Sequence, residues 1–248
     1  MMADPIPRSG HQFPEPPDIS HLVMEDDEPV DGTFSERQMR LLVDALYDGW
    51  GTSRRFVAQA NVGVFYGLHE TPVVPDVFLS LDVAQRQDTF DRGRSYLVWE
   101  YGKPPDVVIE IVSNAAGGEE QKLSRYASFG VPYAVVYDPE GHLSNRTLRV
   151  WEHHGKGYVE FAQPRWLPEI DLGLTLWQGT FQGVEGVWLR WCDRDGNLLL
   201  LGSERAEHER ERAEHERERA EHERERAEHE RERADRLAAR LRELGVEE

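Results

Sequence analysis

Three ionisable residues near the middle of the chain have types and spacing suited to hydrolytic chemistry: Asp76 in VVPDVFLS, Glu110 in VVIEIVS and Lys122 in EEQKLSRY. Glu110 is the least ordinary of them. Val107, Val108, Ile109, Ile111 and Val112 surround it, a run with the continuous β-branched character of a strand buried on both faces. A carboxylate there loses its hydration and needs a cation or hydrogen bonds in return. Asp76 follows Pro75 and, taken alone, reads as a turn-capping residue at a strand start. Lys122, taken alone, reads as a solvated helix residue. Lysine is nevertheless scarce, occurring only as Lys103, Lys122 and Lys156 while arginine supplies the other 26 positive charges, so its place one loop beyond the Glu110 strand draws attention. Two carboxylates on neighbouring strands offer hard oxygen ligands of the kind Mg²⁺ or Mn²⁺ takes, with water and phosphate filling the other positions. A lysine opposite them can hold a water or offset charge on phosphoryl oxygens. That set is the minimum for metal-dependent phosphodiester hydrolysis. A metal-free carboxylate pair of the glycosidase kind would leave Lys122 without a role.

The elements that must position these residues are legible in outline. A helix is expected from Thr33 or Ser35, where Ser35 and Gln38 fit a capping box and Met39, Leu42, Val43, Leu46, Tyr47 and Trp50 recur at helical spacing, with Gly49 and Gly51 ending it. FVAQANVGVFYG and VVPDVFLSLDV read as neighbouring strands, followed by the polar insert AQRQDTFDRGRS and then YLVWEYGK. EEQKLSRYASFG reads as a short helix with Leu123, Tyr126 and Ala127 on one side and Gly130 at the C′ position. VPYAVVYDP reads as a second buried strand. Strand, helix and strand within about 35 residues form a βαβ-like unit with parallel strands, which places the domain in the α/β class. TLRVWEHHGKGYVEFAQ is a hairpin candidate around His154, Gly155, Lys156 and Gly157, the Trp-rich FQGVEGVWLRWCD reads as edge packing of a mixed sheet, and DRDGNLLLLG as a turn and short strand.

Outside this region the character changes. Residues 1 to 32 read as a flexible, acidic, Pro-rich arm, residues 33 to 200 as the domain that carries the site, and residues 201 to 248 as a charged helix. AEHERER repeats every seven residues from Ala206. If alanine marks position a, position d is Glu209, Glu216, Glu223 and Glu230, a poor seam until Leu237, Leu241 and Leu244 restore apolar spacing. Both a solvated single helix and a weak coiled coil fit this pattern. The tail histidines lie seven apart, about 10.5 Å along a helix, so two of them cannot share an ion.

Residues 203 to 248 carry 17 acidic and 12 arginine side chains, leaving 30 acidic and 17 basic residues and a net charge of −13 before them. No broad nucleic-acid-binding surface is therefore expected, although Arg54, Arg55, Arg86, Arg92 and Arg94 lie on segments around the first carboxylate. One cysteine, Cys192, excludes an internal disulfide framework and reads as a small buried hydrophobe. With no apolar run of membrane-spanning length and no apolar leader at its start, the chain is expected to be cytoplasmic, with no membrane partner.

PDVFLS, PPDVVIEIVSN and GGEEQKLSRYASFGVPYAVVYDP together resemble the Uma-two family of bacterial proteins, described as putative restriction endonucleases of the PD-(D/E)XK nuclease superfamily. The resemblance covers roughly residues 33 to 200. It implies a restriction-endonuclease-like α/β fold, a mixed central sheet flanked by helices, followed here by the long charged C-terminal helix. It further implies Asp76 and Glu110 as metal ligands, Lys122 as catalytic lysine, Mg²⁺ (or Mn²⁺) as cofactor and DNA as substrate. The parent motif places the lysine two residues after the acid, where Val112 stands; the family is read as having moved it to the following helix. Relatives carry an aspartate just before that lysine, which Glu119 or Glu120 would replace here, and Gln59 and Glu36 lie on elements that border such sites. Tyr126 shares the Lys122 face at i+4 and could steady it, although a packed aromatic is its first reading. The leading expectation is a Mg²⁺-dependent DNA endonuclease. The alternative is a catalytically inactive nuclease-fold protein that acts as a binding or scaffold module through its C-terminal helix. A homodimer, through the nuclease domain or through Leu237, Leu241 and Leu244, suits either.

Overall fold

A computed structural model describes residues 32–85, 94–113, 118–155, 157–161 and 166–243. The expected arm up to residue 31, the insert with Arg86 and Arg92, and Lys156 and Leu244 lie outside the described residues. Contacts divide the chain into two compact units, Met1–Ser35 with Arg54–Phe161, and Glu36–Ser53 with Ala162–Glu248. Both units take residues from the span 33 to 200.

The first unit is a mixed six-stranded sheet in the order β1 (Phe56–Ala60), β3 (Val77–Leu81), β5 (Val107–Ile111), β6 (Tyr133–Tyr137), β7 (Leu148–His154), β8 (Gly157–Glu160). β5 and β6 run parallel and every other neighbouring pair is antiparallel. A parallel pair requires a crossover, supplied by α3 (Glu119–Ser128). The helix ends where Gly130 turns to φ +79°, a conformation that disfavours side chains with a Cβ. All five residues of β5 and of β6 are buried, as their apolar runs require. Tyr126 and Val131 pack with Phe78, Val108 and Ala134 in the core between helix and sheet. A two-stranded parallel pair, β2 (Val64–Phe65) with β4 (Tyr96–Leu97), and the one-turn helix α2 (Val98–Tyr101) complete this unit.

The second unit contains most of α1 (Gly32–Gly49) and a three-stranded antiparallel sheet of β9 (Trp166–Leu167), β10 (Leu172–Phe181) and β11 (Val184–Cys192). Here the sequence reading needs correction. The Trp-rich segment is not edge packing of the mixed sheet but the second arm of a long hairpin in a sheet of its own. Its turn, Gln182 and Gly183 at φ 48° and 78°, has the twist that suits a two-residue hairpin. The following short strand is reduced to one bridge, Cys192 to Leu198.

The open edge of β11 would leave buried peptide groups without partners. The buried Gln38 side chain occupies that edge like a peptide unit, donating to Leu189 O at 2.9 Å and accepting from Leu189 N at 2.9 Å. Trp191 Nε1 donates to Leu42 O at 3.0 Å. The 42-residue α4 (Gly202–Glu243) is anchored at its first turn: Arg190, 1% exposed, donates to both carboxylate oxygens of Glu204 at 2.7 and 2.8 Å, and Asp48 accepts from Gly202 N at 2.8 Å. From Arg205 to Leu237 every residue is exposed. Its side-chain pairs are loose, Glu207 with Arg210 at 3.8 Å and Glu232 with Arg236 at 3.9 Å, and such exposed pairs contribute little.

Candidate active site

Strand register brings the two carboxylates together. β3 pairs with β5 through Val77 opposite Ile109, so one step further along the ladder sets Asp76 opposite Glu110. Side chains alternate along a strand, which turns Glu110, like Val108, to the face covered by α3. Its carboxylate is 4% exposed. Asp76, at the entry to β3, accepts the amide of Ile111 through Oδ2 at 2.5 Å, while its own carbonyl accepts from Asn61 N at 3.0 Å. The first carboxylate is therefore tied to the backbone immediately after the second.

α3 contributes the donors. Lys122 Nζ donates to Glu110 Oε2 at 2.7 Å and to Val74 O at 3.1 Å. One helical turn on, the Tyr126 hydroxyl donates to Glu110 Oε1 at 2.5 Å. Residues four apart lie on one helix face, so a single face of α3 serves both oxygens of one carboxylate. Arg125 donates to the carbonyls of Thr71 and Pro72, and with Lys122 it fastens the segment leading into Asp76.

The electrostatics follow from this geometry. Burial, then the negative charge of Asp76, push the Glu110 carboxyl up to about 8, with Lys122 and the hydrogen bond from Tyr126 opposing the rise. Burial and the charge of Glu110 hold the Tyr126 phenol well above its usual range. Two carboxylates and one ammonium leave a net negative charge in a site partly deprived of water; a hard divalent cation fits that deficit and that donor set. Among the described residues, no group of three His, Cys, Asp or Glu is arranged to hold a metal ion, so remaining ligands would come from water, backbone or substrate.

The other sequence candidates fare differently. Gln59 pairs with Phe78, on the same sheet face as Asp76 but one strand further from Glu110. Glu36 belongs to the other unit and forms an ion pair with Arg40 on its own helix. Glu120 is exposed in the first turn of α3, and the side chain of Glu119 lies outside the described part. Arg54 and Arg55 are not beside the first carboxylate. They precede Phe56, which pairs with Leu81 at the far end of β3, and Arg54 is engaged there by Asp82 at 2.5 Å. Antiparallel pairing sends the start of β1 away from Asp76. Tyr126, read first as a packed aromatic and second as a support for Lys122, is buried in the core and gives its hydroxyl to Glu110; its i+4 spacing from the lysine does not say what the helix face meets.

The order of the six-stranded sheet and its parallel β5–β6 pair define a mixed α/β protein with an acid pair and a lysine gathered at the end of an inner strand. Residues 23–180 match the Uma2 family, described as "Putative restriction endonuclease", and the chain belongs to that family. It is also similar to a crystallised putative nuclease from Anabaena variabilis, at 17% identity and a TM-score of 0.41 over 55% of this chain and 72% of that one. No curated protein matches the sequence. No described helix is long and apolar enough to cross a membrane.

Proposed function

We propose that the chain is a metal-dependent endonuclease that hydrolyses DNA phosphodiester bonds, with Asp76 and Glu110 holding Mg²⁺ or Mn²⁺ and Lys122 acting on the reacting oxygens. The observation that carries this reading is the buried Glu110 carboxylate, met by Lys122 at 2.7 Å and repelled by Asp76. Structural ion pairs rarely place a second carboxylate against a buried first one, because like charges raise the cost of both. When bound, the ion would polarise a phosphoryl oxygen and offset the paired carboxylates. Asp76 is oriented for this by the Ile111 amide, and Glu110 by its two donors. The Lys122 side chain is partly exposed, 37%, and its ammonium, held by Glu110 and Val74 O, can turn to orient water or meet developing negative charge on a phosphate. Family membership supports a nuclease and makes DNA the substrate to test first.

A second reading, a nuclease-fold scaffold without catalysis, is favoured by the acidic charge before residue 203 and by Arg54 being engaged away from the site, since phosphate binding usually leaves a basic footprint. Incubating the purified chain with supercoiled and single-stranded DNA in Mg²⁺, Mn²⁺ or chelator separates the two. Metal-dependent nicking that is lost in Glu110→Ala establishes the nuclease. A folded chain that cuts nothing, and whose melting midpoint neither ion moves, leaves the scaffold.

A further inference from the structure

We infer that Tyr126 is a positioning residue of the site, holding Glu110 through Oε1 so that Oε2 remains in place for a cation when Lys122 turns to substrate. This rests on the proposed metal-dependent reading and extends it to a residue outside the acid–lysine set. A buried hydroxyl without a hydrogen-bond partner is costly. Tyr126 is 0% exposed, its ring packs edge-on against Phe129 at 6.1 Å between centroids, and it lies in the core with Phe78, Val108 and Ala134. Phenylalanine would supply the same ring to that core. The hydroxyl is useful only where it has a partner, and its partner is Glu110 Oε1 at 2.5 Å.

The two donors to Glu110 differ in what else they can do. Lys122 also grips Val74 O and is partly exposed, on a side chain with four rotatable carbons, so it can exchange partners. Tyr126 is enclosed and short of alternatives. A carboxylate held by Lys122 alone would be released whenever the ammonium moved; with Tyr126 on the other oxygen, its orientation persists. Residues that orient a metal ligand without touching the ion typically affect affinity or activity by about 10–100-fold when removed.

The test compares the wild-type chain, Tyr126→Phe and Glu110→Gln by Mn²⁺ titration calorimetry, nicking of supercoiled DNA and melting midpoint. Tyr126→Phe is expected to bind Mn²⁺ roughly 10-fold or more weakly, with kcat lowered and KM for DNA unchanged. Mn²⁺ affinity equal to wild type overturns the inference and leaves the nuclease reading standing. A wild-type chain that binds no Mn²⁺ sinks the nuclease reading itself, and this inference with it. Should Tyr126→Phe fail to fold, carbon-13 labelling at Cζ of tyrosine gives the answer in the wild-type chain. The resonance displaced by Glu110→Gln must also move on Mg²⁺ titration, and a resonance that stays fixed overturns the role.

Discussion

Lys122 and Glu110 stand twelve residues apart in the chain and meet at 2.7 Å, one on a helix and the other inside a buried strand. The meeting follows from one topological fact. β5 and β6 are parallel, so the connection between them must return along the sheet, and α3 returns across the face to which Glu110 points. A lysine on that helix can reach back to the strand just left, which a lysine two residues after the acid would do from within the strand.

Replacing Lys122 with Met should lower Mg²⁺-dependent nicking by roughly 10²–10³-fold, the range for removing one preorganised donor to a developing charge. The melting midpoint should fall as well, because the buried Glu110 loses its cation, so nicking is compared at a temperature where both proteins are folded. Lys122→Arg should not restore activity, since a planar fork does not replace a point ammonium. Nicking within twofold of wild type in Lys122→Met removes Lys122 from the mechanism.

Glu110 should make the metal-free protein less stable as pH rises. Its folded value, about 8, lies above its ordinary value of 4.5, so the folded state holds a proton that the unfolded state has lost. The associated stability is complete below about pH 4.5 and lost as pH climbs through about 8. Melting in chelator across pH 5 to 9 should therefore show a fall in wild type that is smaller in Glu110→Gln. Added Mg²⁺ should recover the wild-type midpoint at the alkaline end. Parallel curves for the two proteins in chelator would contradict the buried, charge-strained carboxylate.

Arg190 and Glu204 should anchor the long helix by a pair that does not tolerate being halved. Arg190→Leu removes both guanidinium donors to Glu204, which keeps the Leu201 amide, and the donor to the carbonyl of Leu199, and should cost about 3 kcal/mol in urea unfolding. Burial raises the Glu204 carboxyl, but hydrogen bonds from Arg190 and the Leu201 amide outweigh it and leave the group below its ordinary value. Its contribution is present above the usual carboxylate range and disappears as pH falls through the lowered value. A variant as stable as wild type at pH 7 would show that α4 is held by other contacts.

Gln38→Ala should destabilise the protein by about 2–6 kcal/mol, because it strands both the donor and the acceptor of Leu189, each of which costs about 1–3 kcal/mol when buried unpaired. Hydrogen exchange at Leu189 should accelerate in the variant. Unchanged exchange would mean that water replaces the amide at that edge.

Much of the first unit is legible in the sequence because its signals are local. The β-branched runs around Glu110 and Val135 become five-residue strands buried throughout, and Gly130 ends α3 where its position predicts. The hairpin around Gly155 also forms, with His154 opposite Gly157. The second unit was harder to read. Its α1 and β11 are joined by Gln38 and Leu189, 151 residues apart, and no local pattern announces such a pairing. The arginines near Asp76 in sequence lie elsewhere for a related reason: antiparallel pairing sets Ala60 opposite Val77, beside Asp76, and so leaves Arg54 and Arg55 at the other end of β3.

The sequence by itself determined that Glu110 is buried, that two parallel strands need a crossover between them, and that the helix in that crossover presents Lys122 and Tyr126 on one side. Those are consequences of side-chain period and hydrophobic pattern within a few residues. Only the tertiary structure decided that Asp76 stands against Glu110, that Tyr126 rather than solvent or Lys122 takes Oε1, and that the Trp-rich hairpin builds a separate sheet. Each of these depends on register and packing between segments far apart in the chain, where one residue of slip would exchange the two faces of a strand.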